Sequence, residues 1–442
     1  MRDYLTILGA GLAGSEAAWQ AAERGVSVVL YEMRPVKPTP AHKTDHCAEL
    51  VCSNSLGNNL SPSAPYLLKE ELRKFNSLVI DAGDTHAVPA GAALAVDREL
   101  FSKKITEQLL KHPNITLIRE EVTEIPSEGP VIVATGPLTS PRLSESISRL
   151  IGQEYLYFYD AISPIVDANT INYDKTFFAS RYDKGTDDYL NCPLNEGQYY
   201  SLVNELKNGE KVPFKSFEKP IYFEGCMPVE ELAMRGDKTL AFGPLKPVGL
   251  LHPETKEQFY AVVQLRHENK EGTAFNLVGF QTKLTYPEQK RVIRLIPGLE
   301  NAEFFRFGAI HRNTYINAPD VLSCELDLKK NSGIYFAGQI IGVEGYVESV
   351  SMGLLAALSA VKRIKGEVYS TPPVDTALGS LLKYVTETRR QSFQPMNINY
   401  GLFQVHEMKI RNKRERNKKI ELKALDSLSQ WMETINGELV KE

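Results

Sequence analysis

A glycine-spaced segment near the start of the chain, ILGAGLAGSEAAW at residues 7–19, constrains the fold more than any other feature of the sequence. The apolar runs on either side of it, 4–8 and 26–31, predict two β-strands. The small residues between the strands predict a helix that lies close to a sheet and ends at Gly25. The first thirty residues therefore read as a strand, a tight turn, a helix and a second strand.

The spacing of Gly9, Gly11 and Gly14 is that of the G-x-G-x-x-G motif. In this motif one glycine allows the tight turn, one lets a pyrophosphate approach the backbone, and one permits close contact between helix and strand. Glu32 follows eighteen residues after Gly14, where a carboxylate accepts hydrogen bonds from a ribose with a free 2′-hydroxyl. A tight turn that binds no ligand is the alternative. We predict an α/β fold with a Rossmann-type domain whose cofactor-binding residues include Gly9, Ala10, Gly11, Leu12, Ala13, Gly14 and Glu32.

The composition is that of a globular protein with room for two domains. The chain has 442 residues, of which 43% are hydrophobic, and a formal net charge of -4. This charge gives no general attraction to nucleic acids or anionic membranes, so binding of either needs a local basic patch. The five cysteines are irregularly spaced, and the apolar segments are too short or too charged to span a bilayer. We expect a cytoplasmic protein with free thiols and no membrane contact.

Two later segments favour FAD as the dinucleotide. GPVIVATGP at 129–137 predicts a strand that ends in Ala-Thr-Gly, and the segment 332–360 predicts a strand, a glycine-bearing loop and a helix. Both resemble the segments that approach the flavin in two-dinucleotide-fold flavoproteins. We expect the helix to begin near Glu348 or Ser349 and to aim its positive end at the flavin pyrimidine. The further predicted cofactor contacts are Val122, Thr135, Gly136, Gly338, Gln339, Gly345 and Tyr346.

The stretch from 152 to 299 breaks the alternation of strands and helices. It contains aromatic-rich runs such as EYLYFYD and a predicted strand pair in FYAVVQLRHENKEGTAFNLVGFQT. We predict an FAD-binding domain built from 1–151 and 300–442, with an inserted α+β domain at 152–299 that forms the substrate site. No second glycine motif serves NAD(P)H, so we expect a nicotinamide cofactor to bind only transiently.

Two cysteines are candidate reactive thiols. Cys52 lies in a polar, turn-rich segment, and Cys226 precedes Pro228, where the sequence PVEEL predicts the first turn of a helix. The unpaired N–H groups of a helix start stabilise a thiolate placed just before it. Each cysteine has a buried packing role as its alternative. A Cys47–Cys52 disulfide and a zinc ion held with nearby histidines are also open, but the chain has no C-x-x-C pair, so we predict no metal site.

Longer phrases carry a resemblance to a known family. They are HCAELVCSNSLGNN, VPAGAALAVDRELFS, FEGCMPVEEL, GPLKPVGL, VGFQTKLTYPEQKRVIRLIPGLENAEFFRFGAIHRNTYINAP and YFAGQIIGVEGYVES. Together they resemble the folate- and FAD-dependent tRNA (uracil-5-)-methyltransferases, the TrmFO family, from residue 4 to about 405. A longer cousin, the large subunit of the tRNA uridine carboxymethylaminomethyl-modifying enzyme, shares AGQ...G..GY.E and has an added helical domain. One departure is Gly57 after Leu56, where family members often carry arginine.

The resemblance implies a one-carbon transfer to RNA. In this family the unit passes from methylenetetrahydrofolate onto reduced flavin and then to C5 of a uridine in the tRNA T-loop, with NAD(P)H as reductant. Uracil C5 is a poor nucleophile until a group adds at C6, so the reaction needs a thiolate and a base. We assign Cys226 as the nucleophile and Cys52 as the base or second thiol, and the reverse assignment stays open. Tyr346 is a candidate partner for the folate pterin.

RNA binding needs a basic surface, and KIRNKRERNKK near the C-terminus provides one on a predicted helix. The predicted RNA contacts there are Lys409, Arg411, Lys413 and Arg414. In HRNTYINAP, Arg312 is predicted to bind phosphate and Tyr315 to stack on an extruded base. The alternatives are a solvated helix with internal charge pairs and a Tyr315 packed in the flavin domain.

Two other functions remain open at this point. One is a carboxymethylaminomethyl-type modifying enzyme or a simple flavin oxidoreductase, and the other is a non-catalytic RNA-binding flavoprotein. The short chain and the FEGCMPVEEL segment argue against the first of these. In a non-catalytic RNA-binding flavoprotein, Cys52 and Cys226 would have no catalytic role. The sequence implies no stable protein partner.

Overall fold

The computed structural model describes residues 4–39, 41–127, 129–153, 155–183, 186–213, 222, 227–388, 393–403 and 410–437. Its strands are β1 (Tyr4–Leu8), β2 (Ser27–Glu32), β3 (Ser55–Asn58), β4 (Ala87–Val88), β5 (Ala93–Val96), β6 (Ile115–Arg119), β7 (Val131–Val133), β8 (Leu156–Ala161), β9 (Ile165–Asp167), β10 (Phe177–Phe178), β11 (Tyr189–Leu194), β12 (Ala261–His267), β13 (Ala274–Leu277), β14 (Phe304–Arg306), β15 (Ile310–Tyr315), β16 (Asp327–Leu328) and β17 (Asn331–Phe336). Its α-helices are α1 (Leu12–Glu23), α2 (Ala64–Lys74), α3 (Leu78–Thr85), α4 (Arg98–Lys111), α5 (Pro141–Ile151), α6 (Glu196–Asn208), α7 (Val229–Met234), α8 (Thr239–Phe242), α9 (Tyr286–Ile293), α10 (Ala318–Val321), α11 (Tyr346–Lys365), α12 (Ala377–Glu387) and α13 (Lys413–Gly437).

A six-stranded sheet with the order β16-β17-β7-β1-β2-β6 carries the dinucleotide-binding motif. Five of its strands are parallel, and β16 is an antiparallel edge strand. The inner strands β1, β7 and β17 are apolar and largely buried, and helices α1 and α11 pack against this sheet. The second strand begins one residue later than predicted, at Ser27, and Glu32 ends it as predicted. The predicted α/β, Rossmann-type class is confirmed.

Helices α1 and α11 cross at close range beneath this sheet. The inward residues of α1 are small, with Ala17, Ala18 and Ala21 fully buried. A Cβ added at Gly353 of α11 would lie 2.2 Å from the carbonyl oxygen of Ala13, so only glycine permits this approach. The crossing brings the N-terminal ends of both helices to the edge where the parallel strands end.

A second, all-antiparallel sheet has the order β10-β11-β12-β13-β9-β14. The predicted strand pair at 259–282 forms β12 and β13, with Leu265 opposite Leu277. Helices α6, α7, α8 and α9 pack on this sheet and bury a core that is separate from that of the parallel sheet. This sheet supplies the α+β architecture that the middle of the sequence predicts.

A two-stranded ribbon, β15 with β8, and a three-stranded sheet, β3-β5-β4, lie between the two larger sheets. Strand β15 alternates, with Arg312 exposed and Asn313 and Tyr315 buried. Strand β3 and residues 51–53 of the loop before it line a cavity that residues of β8 and β15 also line. These small elements therefore form the walls of the site described below.

Helix α13 combines an exposed basic start with an apolar face. Ile420, Ala424, Leu428 and Trp431 recur at helical spacing and are buried. The Trp431 indole N–H donates to the Ser370 carbonyl at 3.1 Å. Among the described residues, no helix is both long enough and apolar enough to cross a membrane.

Candidate cofactor and catalytic site

The glycine turn forms one end of an elongated site. Gly9 has φ +95°, and a Cβ added at Gly14 would lie 1.8 Å from the Gly9 carbonyl oxygen, so the turn requires glycine at both positions. A Cβ added at Gly11 would meet nothing within 4 Å, because this residue faces a cavity. No side chain caps the start of α1, which leaves its first N–H groups for an anion.

Glu32 lies on the same cavity as Gly9 and Gly11 and is 5% exposed. One carboxylate oxygen accepts the Ala10 amide at 3.0 Å, and the other accepts Nε of Arg34 at 2.8 Å. Burial would raise the pKa of Glu32, but the hydrogen bonds and charge of Arg34 outweigh it and hold the pKa below its usual value. The carboxylate is therefore anionic and fixed at the end of β2, as a ribose-binding residue must be.

The other predicted contacts at this end lie where the sequence places them. Val122 and Thr135 line the first cavity, the latter directly after β7. Gly136 has φ +64° and starts a one-turn helix over 136–138. The apolar walls, the glycine turn and the terminal carboxylate together fit the adenosine and pyrophosphate parts of a dinucleotide.

A second cavity of about 340 Å³ continues from the first, and Leu138 lines both. Its walls include Cys52, Gln339, Gly345 and Tyr346, which the sequence assigned to catalysis and cofactor binding. The glycine turn and Glu32 line the first cavity, and Cys52 and Tyr346 line the second. The cysteine and the aromatic ring meet at the end remote from Glu32.

Tyr346 holds the loop that carries Cys52. Its hydroxyl accepts the amide N–H of Cys52 at 2.8 Å and that of Ser53 at 3.1 Å. Burial raises the pKa of Tyr346, so the phenol stays protonated. The Cys52 thiol is partly exposed, and Sγ lies 3.9 Å from the Ala161 carbonyl oxygen. The backbone around this thiol is therefore held in place while its sulfur borders the cavity.

Helix α11 begins at Tyr346, so the expected start near Glu348 or Ser349 was wrong by two to three residues. Gly345 is the N-cap, with φ +117°, and its carbonyl accepts the Ser349 amide at 3.1 Å. Gly338, with φ +84°, packs against Ala13. The earlier start places the first turn of α11, with its positive end, on the wall of the second cavity.

Titratable groups that sequence reasoning missed also line the second cavity. Burial, followed by the nearby charge of Asp160, raises the pKa of Glu344 well above its usual value. Burial and the charge of Arg306 lower the pKa of His311 to about 4, which leaves a neutral imidazole. These residues come from β8, β15 and the loop before α11, and no local spacing in the sequence connects them.

Several predicted residues do not join this site. Tyr315 is 6% exposed, and its hydroxyl donates to the Phe393 carbonyl at 3.2 Å, so the prediction that it stacks on an RNA base was wrong. Arg312, on the opposite face of β15, is exposed and lies 4.4 Å from the Tyr157 ring. Cys226 lies outside the described residues.

The helix predicted after Cys226 is present as α7, with Pro228 as its N-cap, but it is only six residues long. Glu230 is buried, and Glu231 pairs with Lys283 at 2.6 Å. A helix this short has a weak dipole. The structure therefore gives little support to the helix-start argument for a reactive Cys226.

Other cysteines are free thiols in the described part of the chain. Cys47 and Cys52 do not form a disulfide. Cys47 and Cys192 are buried, and burial raises the pKa of Cys47 to about 11. No group of three or more His, Cys, Asp or Glu side chains among the described residues is arranged to hold a metal ion.

The basic segment starts helix α13. Lys413 and Arg414 are exposed in its first turn, and Arg411 precedes it. Lys409 lies outside the described residues. Lys413 borders an open groove of about 830 Å³ whose floor includes Tyr400 and Phe403. A groove lined by cationic and aromatic residues suits a single-stranded nucleic acid.

Comparisons with known proteins agree with this architecture. The sequence model of the family described as Glucose inhibited division protein A matches residues 4–368. A methylenetetrahydrofolate--tRNA-(uracil-5-)-methyltransferase TrmFO of Natranaerobius thermophilus is 57% identical over 429 residues, which cover 97% of this chain and 99% of the relative. Proteins of the same name from Geobacter sulfurreducens and Bacillus subtilis are 56% and 53% identical, each over 98% of this chain and 99% or more of their own lengths.

Solved structures with the same fold include GidA of Aquifex aeolicus in two crystal forms. The chain superposes on them with TM-scores of 0.71 and 0.70, at 18% identity. The match covers 98% of this chain but 76% and 73% of those chains. At this identity the likeness concerns the fold alone.

Proposed function

Because the chain belongs to the TrmFO family of FAD-binding tRNA methyltransferases, we propose that it forms 5-methyluridine in the tRNA T-loop. Methylenetetrahydrofolate is the one-carbon donor, and NAD(P)H is the reductant. The observation that carries the proposal is the position of Cys52 beside Tyr346 on a cavity that continues from the dinucleotide-binding motif. When bound, FAD supplies the redox chemistry and the relay of the one-carbon unit.

Residues of this chain hold FAD at three places in the proposal. The free N–H groups at the start of α1 bind the pyrophosphate, since Gly11 leaves open space in front of them. Glu32 binds the ribose hydroxyls. Tyr346 and the first turn of α11 border the isoalloxazine ring. The backbone amide of Cys52, held by the Tyr346 hydroxyl, keeps the thiol loop next to that ring.

The two cysteines divide the work on the uracil ring. A thiolate, assigned to Cys226, adds to C6, and the electron pair of the C5–C6 double bond moves toward C5 and O4. C5 then bonds to the one-carbon unit, whose bond to its carrier later breaks as a hydride that originates from NAD(P)H reduces the methylene to a methyl group. A base, assigned to Cys52, removes the proton from C5, and the bond between sulfur and C6 breaks to restore the double bond. The reverse assignment is the second version of this proposal.

Cysteine variants test this chemistry. We expect Cys52→Ala and Cys226→Ala to bind FAD and tRNA but to form 5-methyluridine at least a hundredfold more slowly, because general bases and nucleophiles contribute on the order of 10²–10⁴. Cys324→Ala is the matched control, since Cys324 is an exposed free thiol. Methylated nucleoside is measured by mass spectrometry of digested tRNA. Full activity in either of the first two variants contradicts the assigned roles.

We also propose that tRNA contacts the basic start of α13. Arg411, Lys413 and Arg414 are exposed, and Lys413 lines the groove that also contains Tyr400 and Phe403. Lys409 and Arg312 are proposed as further phosphate contacts. Because phosphate contacts release counterions, binding should weaken linearly on a double-logarithmic plot against salt.

A triple variant tests the RNA surface. Arg411, Lys413 and Arg414 are replaced by glutamine, and Lys103→Gln on α4, also exposed, is the control. We expect the triple variant to raise the Kd for tRNA and to reduce the salt slope by about two to three, since each lost contact removes about 0.9 from it. An unchanged slope in the triple variant would place the RNA elsewhere.

We propose that the residues 152–299 form the substrate domain and that 1–151 and 300–442 form the FAD-binding domain. The separate buried core of the antiparallel sheet supports this division. The cavity that holds Cys52 also receives Asp160 and Ile162 from the middle part of the chain. In this arrangement the substrate domain covers the flavin end of the site.

A further inference from the structure

Guanidinium groups hold the backbone of the Cys52 loop, residues 50–54. Nη1 of Arg98 donates to the Leu50 carbonyl at 2.5 Å, and its Nη2 donates to the Cys52 carbonyl at 3.1 Å. Nη2 of Arg306 donates to the Val51 carbonyl at 2.7 Å. Three consecutive carbonyls are therefore bound by two arginine side chains, one from α4 and one from β14.

A third arginine holds the other end of the same loop. Nη2 of Arg266 donates to Ser53 Oγ at 2.8 Å, and its Nε donates to Asn54 Oδ1 at 2.9 Å. Asn54 is fully buried and donates to the carbonyls of Val96 and His267 at 3.0 and 2.9 Å. Arg266 belongs to β12, and its side chain is buried. The antiparallel sheet thus supplies two of the three arginines.

This cluster carries more positive than negative charge. Glu268 is the acid paired with it, and it binds Arg98 at 2.6 Å. Arg98, Arg266 and Arg306 each bind a residue of the Cys52 loop. Burial, followed by the charge of Arg98, lowers the pKa of Arg306, as expected where like charges crowd together.

We propose that Arg266 and Arg306 are positioning residues that present the Cys52 thiol to the flavin cavity. Tyr346 restrains the amide side of the loop, and the arginines restrain the carbonyl side. Both arginines belong to the antiparallel sheet. The position of the Cys52 thiol, which lies on the FAD-binding side, therefore depends on that sheet. The inference rests on the role proposed above for Cys52.

Arginine variants test the proposal in the FAD-loaded enzyme. We expect Arg306→Gln and Arg266→Gln to lower kcat for methyl transfer at least tenfold while the KM for tRNA and the FAD content stay within twofold of wild type. Arg306→Lys keeps the charge and should recover most of the lost kcat. Arg294→Gln is the matched control, because Arg294 also binds a backbone carbonyl, that of Ala302, with Glu303 as its acid.

Thiol alkylation separates this inference from the proposed function. Iodoacetamide modification of Cys52 is followed by peptide mass spectrometry, before and after FAD is removed, with Cys324 in the same molecule as the internal reference. We expect Cys52 to react at least fivefold more slowly in Arg306→Gln than in wild type, and Cys324 to react equally in both. An unchanged rate for Cys52, or an equal loss of kcat in Arg306→Lys and Arg306→Gln, overturns the inference. Full activity of Cys52→Ala overturns the proposed role of Cys52 in catalysis. The alkylation rates then still decide whether the arginines position the thiol.

Discussion

Replacing Gly353 by alanine should disturb the crossing that shapes the cofactor site. The added Cβ would lie 2.2 Å from the Ala13 carbonyl oxygen and 2.9 Å from its Cα, where ordinary contacts begin at 3.4 Å. Both contacts are with backbone, so the helices must separate by about 1 Å. Overpacking of this kind costs about 1–3 kcal/mol, and alanine regains about 1 kcal/mol of helix propensity. Because no side chain can rotate away, we expect the upper end of this cost, about 3 kcal/mol, and so a net loss of about 2 kcal/mol.

Flavin fluorescence during urea unfolding reports this loss, since α1 and α11 both border the proposed FAD site. Gly197→Ala in α6 is the matched control, because its added Cβ would lie 3.5 Å from Asn195 Oδ1, an ordinary contact. We expect Gly353→Ala to release FAD at a lower urea concentration than wild type and Gly197→Ala to release it at the same or a higher one. Equal midpoints for the two variants would refute the reasoning about the crossing.

Three further variants probe other buried groups. Glu32→Ala leaves Arg34 without one of its carboxylate partners and should weaken FAD binding at least tenfold, measured by titration of the apoprotein. Glu71 accepts the first two amides of α12, and burial raises its pKa to about 8. The folded chain therefore keeps a proton that the unfolded chain loses above pH 4.5, so the free energy of unfolding should fall between pH 4.5 and pH 8. Glu71→Gln should remove this pH dependence in urea melts. The pKa of His311 is lowered to about 4, so the unfolded chain binds a proton before the folded chain does as the pH falls below 6.5. Between pH 7.5 and pH 5 the free energy of unfolding should therefore fall by about 2 kcal/mol more in wild type than in His311→Asn, also measured by urea melts.

The opposite result in any of these three experiments would contradict the role given to that residue. Unchanged FAD affinity in Glu32→Ala would remove the ribose role of that carboxylate. Parallel pH profiles for wild type and the variant would show that Glu71, or His311, titrates alike in the folded and unfolded chains.

The dinucleotide-binding unit was predictable because its signals are local. Strand, turn, helix and terminal acid follow one another within the first 32 residues, and each has a residue-level cause. The strand pair β12–β13 was predictable for the same reason. The start of α11 was misjudged because its N-cap is Gly345 rather than the usual Ser, Thr, Asp or Asn.

Tyr315 shows where the sequence could have been used better. Arg312 and Tyr315 are three residues apart, so in a strand they point to opposite faces and cannot form one binding surface. The alternation in HRNTY places Asn313 and Tyr315 on one face and Arg312 on the other. Treating HRNTY as a strand would have predicted a buried tyrosine and an exposed arginine.

The chemistry around Cys52 was out of reach of sequence patterns. Arg266 and Arg306 lie more than two hundred residues from the loop they hold. Glu344 and Asp160 likewise come together only through tertiary contacts. Motifs report local geometry, so they identified the cysteine and the cofactor turn but not the groups that hold the thiol loop.

The measurement that tests the central claim most directly follows the one-carbon unit. FAD-loaded protein is mixed with methylenetetrahydrofolate that carries an isotopically labelled methylene carbon, NADH or NADPH, and unmodified tRNA, and the digested RNA is examined by mass spectrometry. The account predicts labelled 5-methyluridine in the T-loop fragment. If no label appears in that nucleoside while the flavin is reduced and the tRNA is bound, the account is contradicted.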